Sequence, residues 1–439
     1  MANIFHLNKM SNYLSWINSI REKTVMNVTN IPFRESKEWK FDEESTRLFR
    51  HLGGFFSIIG IKAYYSESIP VEVALIDQPE IGILGFILRE KNNQPEVLFQ
   101  AKSEPGNVGI CQLAPTVQAT ESNYKQLHKG SAQPYVEYFL NPVQTNILHS
   151  SLQTEQGWKF WRKRNLNTII KGDVEALGGY KWISLKDVSK LLSQPHLLNS
   201  DSRSVLCSLF LTHPQFFTVD KQFKDCINKS IEEVNETSLE WVMKQQQKFS
   251  NTHIVPLKEL QNWIITESEI SQNDSQLHRI IQIKVETNAR EISSWDQPII
   301  DTYEEEEITL VGKMRDGQLE LLVQCVSEPG LWLQKGISAT FHQSPVKTLN
   351  DNSTYIKEWL HAGKDLWVRE KVVKNSEEGG RFYKDENIHS LIIVDEHFPE
   401  ITLPDNYMWM TLGDIRALLT KEYILTNELR SVLCLLFSE

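Results

Sequence analysis

Residues 103–130 hold the densest run of polar and turn-forming side chains in this chain. The run opens with Glu104-Pro105-Gly106-Asn107, a turn signal because Pro presets φ while Gly and Asn tolerate positive φ. In an extended segment after this turn, alternate side chains share one face: Gln112, Ala114, Thr116, Gln118 and Thr120. Two amides and two hydroxyls with little bulk suit a polyhydroxylated ligand better than an apolar core. A polar edge strand followed by a solvated helix is the alternative.

The end of this run adds groups that can transfer protons. Tyr124 brings a phenol and His128 an imidazole, whose unperturbed pKa of about 6.5 suits acid–base work near neutral pH. Four residues apart on a helix, the two side chains share a face. The spacing predicts a catalytic pair, with the Asn123 amide beside it as a hydrogen-bonding group.

A second cluster of polar and aromatic residues spans 153–165. Glu155 is a candidate acid or base if the neighbouring aromatic side chains partly desolvate its carboxyl. The same segment carries four cationic side chains that suit phosphate oxygens, the two arginines best because of their forked donors: Lys159, Arg162, Lys163 and Arg164. A basic surface strand is the alternative reading of this segment.

An internal duplication positions these groups. Residues 180–210 align without a gap to residues 407–437. Shorter segments match in the same order: 31–39 with 255–263, 58–62 with 280–284, 77–79 with 296–298, and 103–106 with 327–330. A near-constant spacing is typical of tandem duplication. The sequence therefore predicts an α+β protein with a first repeat over 1–215, a linker over 216–236 and a second repeat over 237–439, packed together because the linker is not rich in Gly and Ser.

Local patterns predict several elements of each repeat. Residues 97–101 and 319–323 read as core strands, while Ser184 and Thr411 are expected to cap helices. Cys207 and Cys434 occupy matched places in one helix and are expected to be small core residues. The four glutamates at 304–307 are expected in a solvated strand edge or loop.

Composition limits the class of partner. The chain has 439 residues, with 46 Lys and Arg against 57 Asp and Glu, a net charge of −11. This balance argues against nucleic acid or an anionic membrane as a partner. Five dispersed cysteines without a CxxC pair indicate a reducing compartment, and no apolar run or leader pattern is evident. A cytoplasmic protein is expected.

Residues 104–124, EPGNVGICQLAPTVQATESNY, followed by His128 and Gly130, closely resemble the signature of the NDP-hexose 2,3-dehydratases. Residues 155–165 resemble a recurrent EQG…F..RKRN pattern of the same family. The resemblance extends along nearly the whole chain. It implies two tandem Nudix-like domains, each a mixed sheet flanked by helices, in a subunit that forms homodimers.

The resemblance also implies the reaction: loss of water from dTDP-4-keto-6-deoxyglucose, with no cofactor and no metal ion, giving a 3,4-diketo-2,6-dideoxy sugar for a separate NADPH-dependent 3-ketoreductase. The expected catalytic residues are His128, Tyr124 and Glu155. The expected substrate-binding residues are Asn107, Gln112, Thr116, Gln118, Thr120, Asn123, Lys159, Arg162 and Arg164.

The second repeat keeps the turn that opens the signature but lacks most of the polar side chains that follow it. Only Gln343, Pro345 and Tyr355 match the polar pattern there, so we expect one working site, in the first repeat, and a degenerate second pocket. Two other functions stay open. A metal-dependent nucleotide-sugar hydrolase of the Nudix type needs a helix with grouped carboxylates for Mg²⁺, and no such pattern is evident. A non-catalytic binding protein is expected to have a signature as degenerate in the first repeat as in the second, and the sequence does not show this.

Overall fold

The computed structural model describes residues 2–65, 70–124, 133–246, 250–273, 277–290, 292–342 and 352–439. The helices in these ranges are α1 Ala2–Lys23, α2 Glu121–Tyr124, α3 Glu137–Leu140, α4 Leu185–Leu191, α5 Ser200–Thr212, α6 Lys221–Glu232, α7 Glu236–Gln246, α8 Ser353–Ala362, α9 Leu412–Leu419 and α10 Asn427–Leu433. No helix among the described residues is long and apolar enough to cross a membrane.

The described part of the first repeat contains the following strands, and all of them except the first lie in two sheets. They are β1 Met26–Asn30, β2 Trp39–Phe41, β3 Arg47–Arg50, β4 Ser57–Tyr65, β5 Val71–Asp77, β6 Gly82–Lys91, β7 Gln94–Ser103, β8 Cys111–Ala114, β9 Val117–Ala119, β10 Ile147–Thr154, β11 Phe160–Trp161, β12 Arg164–Lys171 and β13 Tyr180–Ser184. One sheet has the order β11-β5-β4-β3-β2, and the other has the order β10-β12-β6-β7-β13, with β8 on β7 and β9 on β6. Because β12 runs parallel to β6 while most pairs are antiparallel, the sheet is mixed.

The second repeat builds the same two sheets. Its strands are β14 Ser250–Val255, β15 Trp263–Ile265, β16 Glu269–Gln272, β17 His278–Thr287, β18 Ser294–Thr302, β19 Glu306–Arg315, β20 Gln318–Ser327, β21 Lys335–Ser338, β22 Phe341–His342, β23 Trp367–Ser376, β24 Glu386–Val394 and β25 Tyr407–Thr411. The order β21-β20-β19-β24-β23, with β22 on β19 and β25 on β20, repeats that of the larger sheet in the first half. The predicted α+β class and the repetition are therefore confirmed.

Strand pairing corrects one of the sequence matches. Phe160 bridges Ile76 in parallel, and Phe382 bridges Ile300 in the same way. Ile76 is therefore the counterpart of Ile300, so residues 77–79 do not correspond to 296–298. The two Asp-Gln-Pro triplets lie at opposite ends of matched strands, and their likeness is a coincidence of composition.

The two repeats exchange a strand. In the first half, β1 leaves its own sheet and pairs antiparallel with β17 of the second, from Met26 opposite Thr287 to Asn30 opposite Ile283. In return, β14 of the second half pairs antiparallel with β4 of the first, from Ser250 opposite Tyr65 to Val255 opposite Gly60. Each exchanged strand covers an edge that would otherwise expose unpaired backbone groups. The halves are therefore held together by hydrogen-bonded ladders as well as by side-chain packing.

Residues 216–236, expected to be the linker, contain the helix α6. Ser230 on this helix donates to the Leu319 carbonyl and accepts from the Leu412 N–H, and Lys229 donates to the Asp316 carbonyl. These contacts fix the segment on β20 and α9 of the second half. The connection is an ordered part of the second repeat's packing.

Helices α5 and α10 pack together on the approximate two-fold axis between the repeats. The Arg203 guanidinium donates to the Ser431 hydroxyl at 2.5 Å, and Arg430 donates to Ser204 at 2.8 Å. Cys207 and Cys434 are both fully buried in the surrounding core, as predicted. Helices α4 and α9 also start where expected: the Ser184 hydroxyl accepts from the Asp187 N–H at the start of α4, and Thr411 forms a capping box at the start of α9.

Candidate active site

A cavity of ≈ 980 Å³ opens between the two repeats. Its first-repeat wall comes from β6, β7 and β9 and the residues that follow them, including Lys102, Gln118 and Thr120. The second repeat supplies the opposite wall with Arg290, Trp295, Glu378 and Arg381. The site is therefore composite, and both halves of the chain contribute charged side chains to it.

The Pro-Gly turn that opens the signature joins the two repeats. Gly106 N–H donates to the Gly379 carbonyl at 2.7 Å, and in the other half Gly330 N–H donates to Gly157 at 2.8 Å. A Cβ on Gly106 would lie 1.7 Å from the Phe382 carbonyl oxygen. Glycine is required there for close backbone approach, so this turn positions the second repeat's loop at the cavity.

Two of the predicted binding residues line the cavity. Gln118 accepts a hydrogen bond from the Asn199 amide at 3.0 Å and donates to Glu104 at 3.4 Å. The Thr120 hydroxyl lies 3.1 Å from that of Ser122. Both side chains are partly exposed, so they can contact a bound sugar.

Three others lie inside the protein: Thr116 is buried between strands, Gln112 between the repeats and Asn107 in the turn before them. The Thr116 hydroxyl, fully buried, accepts from the Ile87 N–H and donates to the Leu98 carbonyl. Gln112, also fully buried, donates to Ser376 of the other repeat. Asn107 donates to the carbonyls of Lys102 and Ile110, both at 3.2 Å, and braces the turn. These residues support the fold around the cavity and are not part of its wall.

The predicted proton-transfer pair falls at the boundary of the described chain. Tyr124 is the last residue of α2, directly after the cavity-lining Thr120 and Ser122, and it packs against the cluster that contains Val117. Asn123 belongs to the same helical turn. His128 lies outside the described residues. Their catalytic roles therefore stay predictions.

Glu155 lines the cavity and meets the condition under which it was expected to act. It is 6% exposed, and burial raises its pKa against the opposing influence of Arg430 and Lys163. Its two carboxylate oxygens accept hydrogen bonds from Asn165 and from Asn427 of the second repeat, both at 2.8 Å. The carboxyl is thus both held in place and inclined to keep a proton.

Three of the four cations expected to bind a diphosphate, Lys159, Arg162 and Arg164, are not among the residues that line this cavity. Lys159 forms a buried ion pair with Asp385. The Arg164 guanidinium lies 3.6 Å from the centroid of the Trp332 ring, and that of Arg162 lies over Trp161 at 4.6 Å. Lys159 is used in an ion pair and the two arginines in ring contacts, so their placement does not support the hypothesis that they hold a diphosphate in this cavity.

The sequence did not single out Glu378 and Arg381 as site residues, whereas Lys163 was among the expected phosphate-binding cations and does line the cavity. Burial lowers the pKa of Lys163 to about 8, and its ammonium donates to the Glu80 carbonyl. Burial, with the charges of Glu104 and Glu155, raises the pKa of Glu378 to about 7. Residues 377–382 are the counterpart of residues 155–160, and a repeat alone does not reveal which cavity such a loop enters.

The equivalent place in the second repeat is filled by ionic side chains. Glu306 and His342 replace Gly82 and Gln118, and their carboxylate and imidazole lie 2.9 Å apart with side chains 10% and 5% exposed. Lys159 holds the pKa of Glu306 down, to about 2, against the effect of burial, and His342 adds to this. The expectation that residues 304–307 are solvated is wrong for Glu306, because its strand is central to the larger sheet of the second repeat.

Comparison with known proteins agrees with the duplication of the chain. The sequence profile of a family described as NDP-hexose 2,3-dehydratase matches residues 10–209 and again 235–436. A protein of Saccharopolyspora spinosa named dTDP-4-dehydro-6-deoxy-alpha-D-glucopyranose 2,3-dehydratase is 33% identical over 96% of this chain and 90% of its own length. Proteins of the same name from Streptomyces violaceoruber and Amycolatopsis orientalis are 32% and 29% identical, over 88% and 95% of this chain and 88% of their own lengths.

Proposed function

Since this chain belongs to the NDP-hexose 2,3-dehydratase family, we propose that it eliminates water from dTDP-4-keto-6-deoxyglucose in the cavity between its repeats. The product is the 3,4-diketo-2,6-dideoxy sugar. The observation that carries the assignment is the group of acids that lines this cavity, the buried Glu155 and Asp201 and the half-buried Glu378, with pKa values raised from those of ordinary carboxyls.

The chemistry requires a base at C3 and an acid at O2. The C4 carbonyl acidifies the C3 hydrogen, so its removal leaves an enolate. The C2–O bond then breaks, and the hydroxyl leaves as water when it takes a proton. The resulting enol gains a solvent-derived proton at C2 and becomes the diketone. No electrons are exchanged with another reagent, so atoms and charge balance with one base and one acid.

Glu378 and Glu155 are assigned these two steps. A carboxylate with a pKa near 7 is a better base than an ordinary one at neutral pH, and Glu378 has this property. Burial raises the pKa of Glu155, which favours the protonated form that can donate to O2. Gln118 and Thr120 would bind sugar hydroxyls, and Tyr124, at the end of α2, and His128 keep their predicted contributions to proton transfer.

The finer features carried by the family resemblance belong to the same proposal. The repeats are Nudix-like, the subunit forms a homodimer, and the protein works in the cytoplasm. Because a 3,4-diketone is reactive, a separate NADPH-dependent 3-ketoreductase consumes the product. The two strand-exchanged mixed sheets are compatible with the first of these features.

The test is an assay of the purified protein with dTDP-4-keto-6-deoxyglucose in deuterated water containing EDTA, followed by NMR and mass spectrometry. We expect loss of water and deuterium at C2. Unchanged substrate in EDTA, with dTMP released only after Mg²⁺ is added, would replace the proposal with the hydrolase. Binding of the substrate without either reaction would favour a non-catalytic protein.

A further inference from the structure

Two cations in the cavity have no carboxylate within ion-pair distance among the described residues. Three of the five cationic side chains that line it are in ion pairs: Arg50 with Glu38 at 2.7 Å, Lys102 with Glu104 at 3.2 Å and Arg290 with Glu104 at 3.7 Å. Lys163 and Arg381 form no ion pair with any residue in the described ranges. Glu378 attracts both cations from farther away, but neither has a carboxylate in direct contact, so an oxyanion that reaches them gains a charged hydrogen bond.

Arg381 is held in position by groups that do not neutralise it. Its guanidinium carbon lies 4.3 Å from the centroid of Phe56 and 5.0 Å from that of Phe55, and Nη1 donates to the Gly380 carbonyl at 2.9 Å. The residue is 9% exposed, yet Nε is buried without a hydrogen-bond partner in the structure. A planar guanidinium fixed in this way retains donors for a ligand oxygen.

The duplication provides an internal comparison. The matched loops make Lys159 the counterpart of Arg381, and Asp385 the counterpart of Lys163. In the second repeat's pocket the two positions form the Lys159–Asp385 ion pair, which neutralises itself. In the cavity the same two positions are both cationic, and Arg381 helps to depress the pKa of Lys163. One site is therefore closed by an ion pair, while the cavity keeps two cations that have no direct ion-pair partner among the described residues.

We propose that Arg381 of the second repeat and Lys163 of the first together bind an anionic oxygen of the substrate, so that the second repeat supplies part of the working site. This inference rests on the proposed function for the identity of the substrate. A dTDP-4-ketosugar offers such oxygens in its diphosphate and, during elimination, in the enolate at C4. Both suit a forked guanidinium and an ammonium.

The test compares Arg381→Gln with Lys159→Gln, the same substitution type at the counterpart position. The affinity for dTDP is measured by calorimetry, and kcat and KM are measured with the ketosugar nucleotide. If the oxygen belongs to the diphosphate, Arg381→Gln weakens dTDP binding at least about tenfold, as expected for loss of a charged hydrogen bond. If it belongs to the enolate, dTDP binding is kept and kcat falls by about 10²-fold or more. Lys159→Gln leaves both quantities of the folded protein unchanged.

A second variant separates a structural role from binding. Arg381→Lys keeps the charge, so it should recover part of whichever quantity the glutamine variant loses. Wild-type dTDP affinity and wild-type kcat in folded Arg381→Gln would overturn the proposal. Since dTDP binding is measured without turnover, wild-type protein that binds dTDP but does not dehydrate the sugar would refute the proposed function instead.

Discussion

Glu155 and Glu377 are counterparts in the two repeats, yet their environments shift their pKa values in opposite directions. Each accepts a hydrogen bond from the equivalent asparagine, Glu155 from Asn165 at 2.8 Å and Glu377 from Asn387 at 3.0 Å. Burial raises the pKa of Glu155. At Glu377 the opposing effect of Arg203, 3.7 Å away, and of other cations exceeds that of burial, and the pKa is lowered. One carboxyl is therefore set for proton transfer and the other for ion pairing.

This contrast predicts different results for one substitution at two equivalent sites. Glu155→Gln keeps the shape of the side chain but cannot supply a proton, so kcat should fall by about 10²-fold or more. Glu377→Gln should keep the kcat of the folded protein and lose stability, because it weakens a buried ion pair. Steady-state kinetics and urea denaturation of both variants check this. Equal loss of kcat in the two variants would remove Glu155 from the mechanism.

Glu378→Gln should lose activity and gain stability at alkaline pH. The folded-state pKa is raised to about 7 from an ordinary 4.5, mainly by burial, so folding favours the protonated carboxyl. Stability from this group is full below about pH 4.5 and is lost as the pH rises through 7. At pH 8 the variant should be more stable than the wild type by on the order of 1–2 kcal/mol, because the carboxyl is only partly withdrawn from water. Urea denaturation at pH 5 and pH 8 measures the difference, which should be absent at pH 5.

Lys159→Ala should destabilise the fold without weakening substrate binding. The variant leaves the buried Asp385 carboxylate without its ammonium partner, a change that typically costs about 3–5 kcal/mol. The double variant Lys159→Met with Asp385→Leu should cost less than Lys159→Ala alone, because no buried charge of this pair remains. Chemical denaturation checks the energies, and KM of the folded single variant should match that of the wild type. A raised KM would restore Lys159 as a binding residue.

His342→Gln should change how stability depends on pH. Although burial opposes it, the Glu306 carboxylate raises the pKa of His342 to about 9 from an ordinary 6.5. The stabilisation is therefore full below pH 6.5 and is lost as the pH rises through 9. Glutamine, which the first repeat has at the equivalent Gln118, cannot titrate. Urea denaturation at pH 6 and pH 9 should show a smaller loss of stability in the variant than in the wild type, and equal losses would contradict the assignment.

Helix caps and buried helix positions were predicted well from the sequence because each depends on residues that are close together in the chain. The Ser184 and Thr411 caps need only their own hydroxyl and the next turn of backbone. The buried Cys207 and Cys434 followed from helical spacing on a repeated segment. The duplication itself was evident because residues 180–210 and 407–437 kept their spacing.

The site was harder to predict because its geometry depends on contacts between distant segments. Thr116 alternates with apolar residues as a ligand-binding threonine would, but its hydroxyl bonds to two neighbouring strands. Lys159 and Arg381 occupy matched positions, and only the docking of the repeats decides that Arg381 enters the cavity. Glu155 was singled out because its aromatic neighbours in sequence indicated desolvation; it lines the cavity, and its catalytic role stays a prediction.

The exchange of β1 and β14 bears on the origin of the chain. A protein with a single repeat would present that strand to a second copy of itself, and two such copies would close into a swapped dimer with identical pockets. Fusing them into one polypeptide frees each pocket to accept substitutions that the other does not share. Once the halves are encoded separately in this way, Lys163 can remain a cation on one side while Asp385 closes the other. The fused chain thus allows an asymmetric enzyme to be built on a symmetric scaffold.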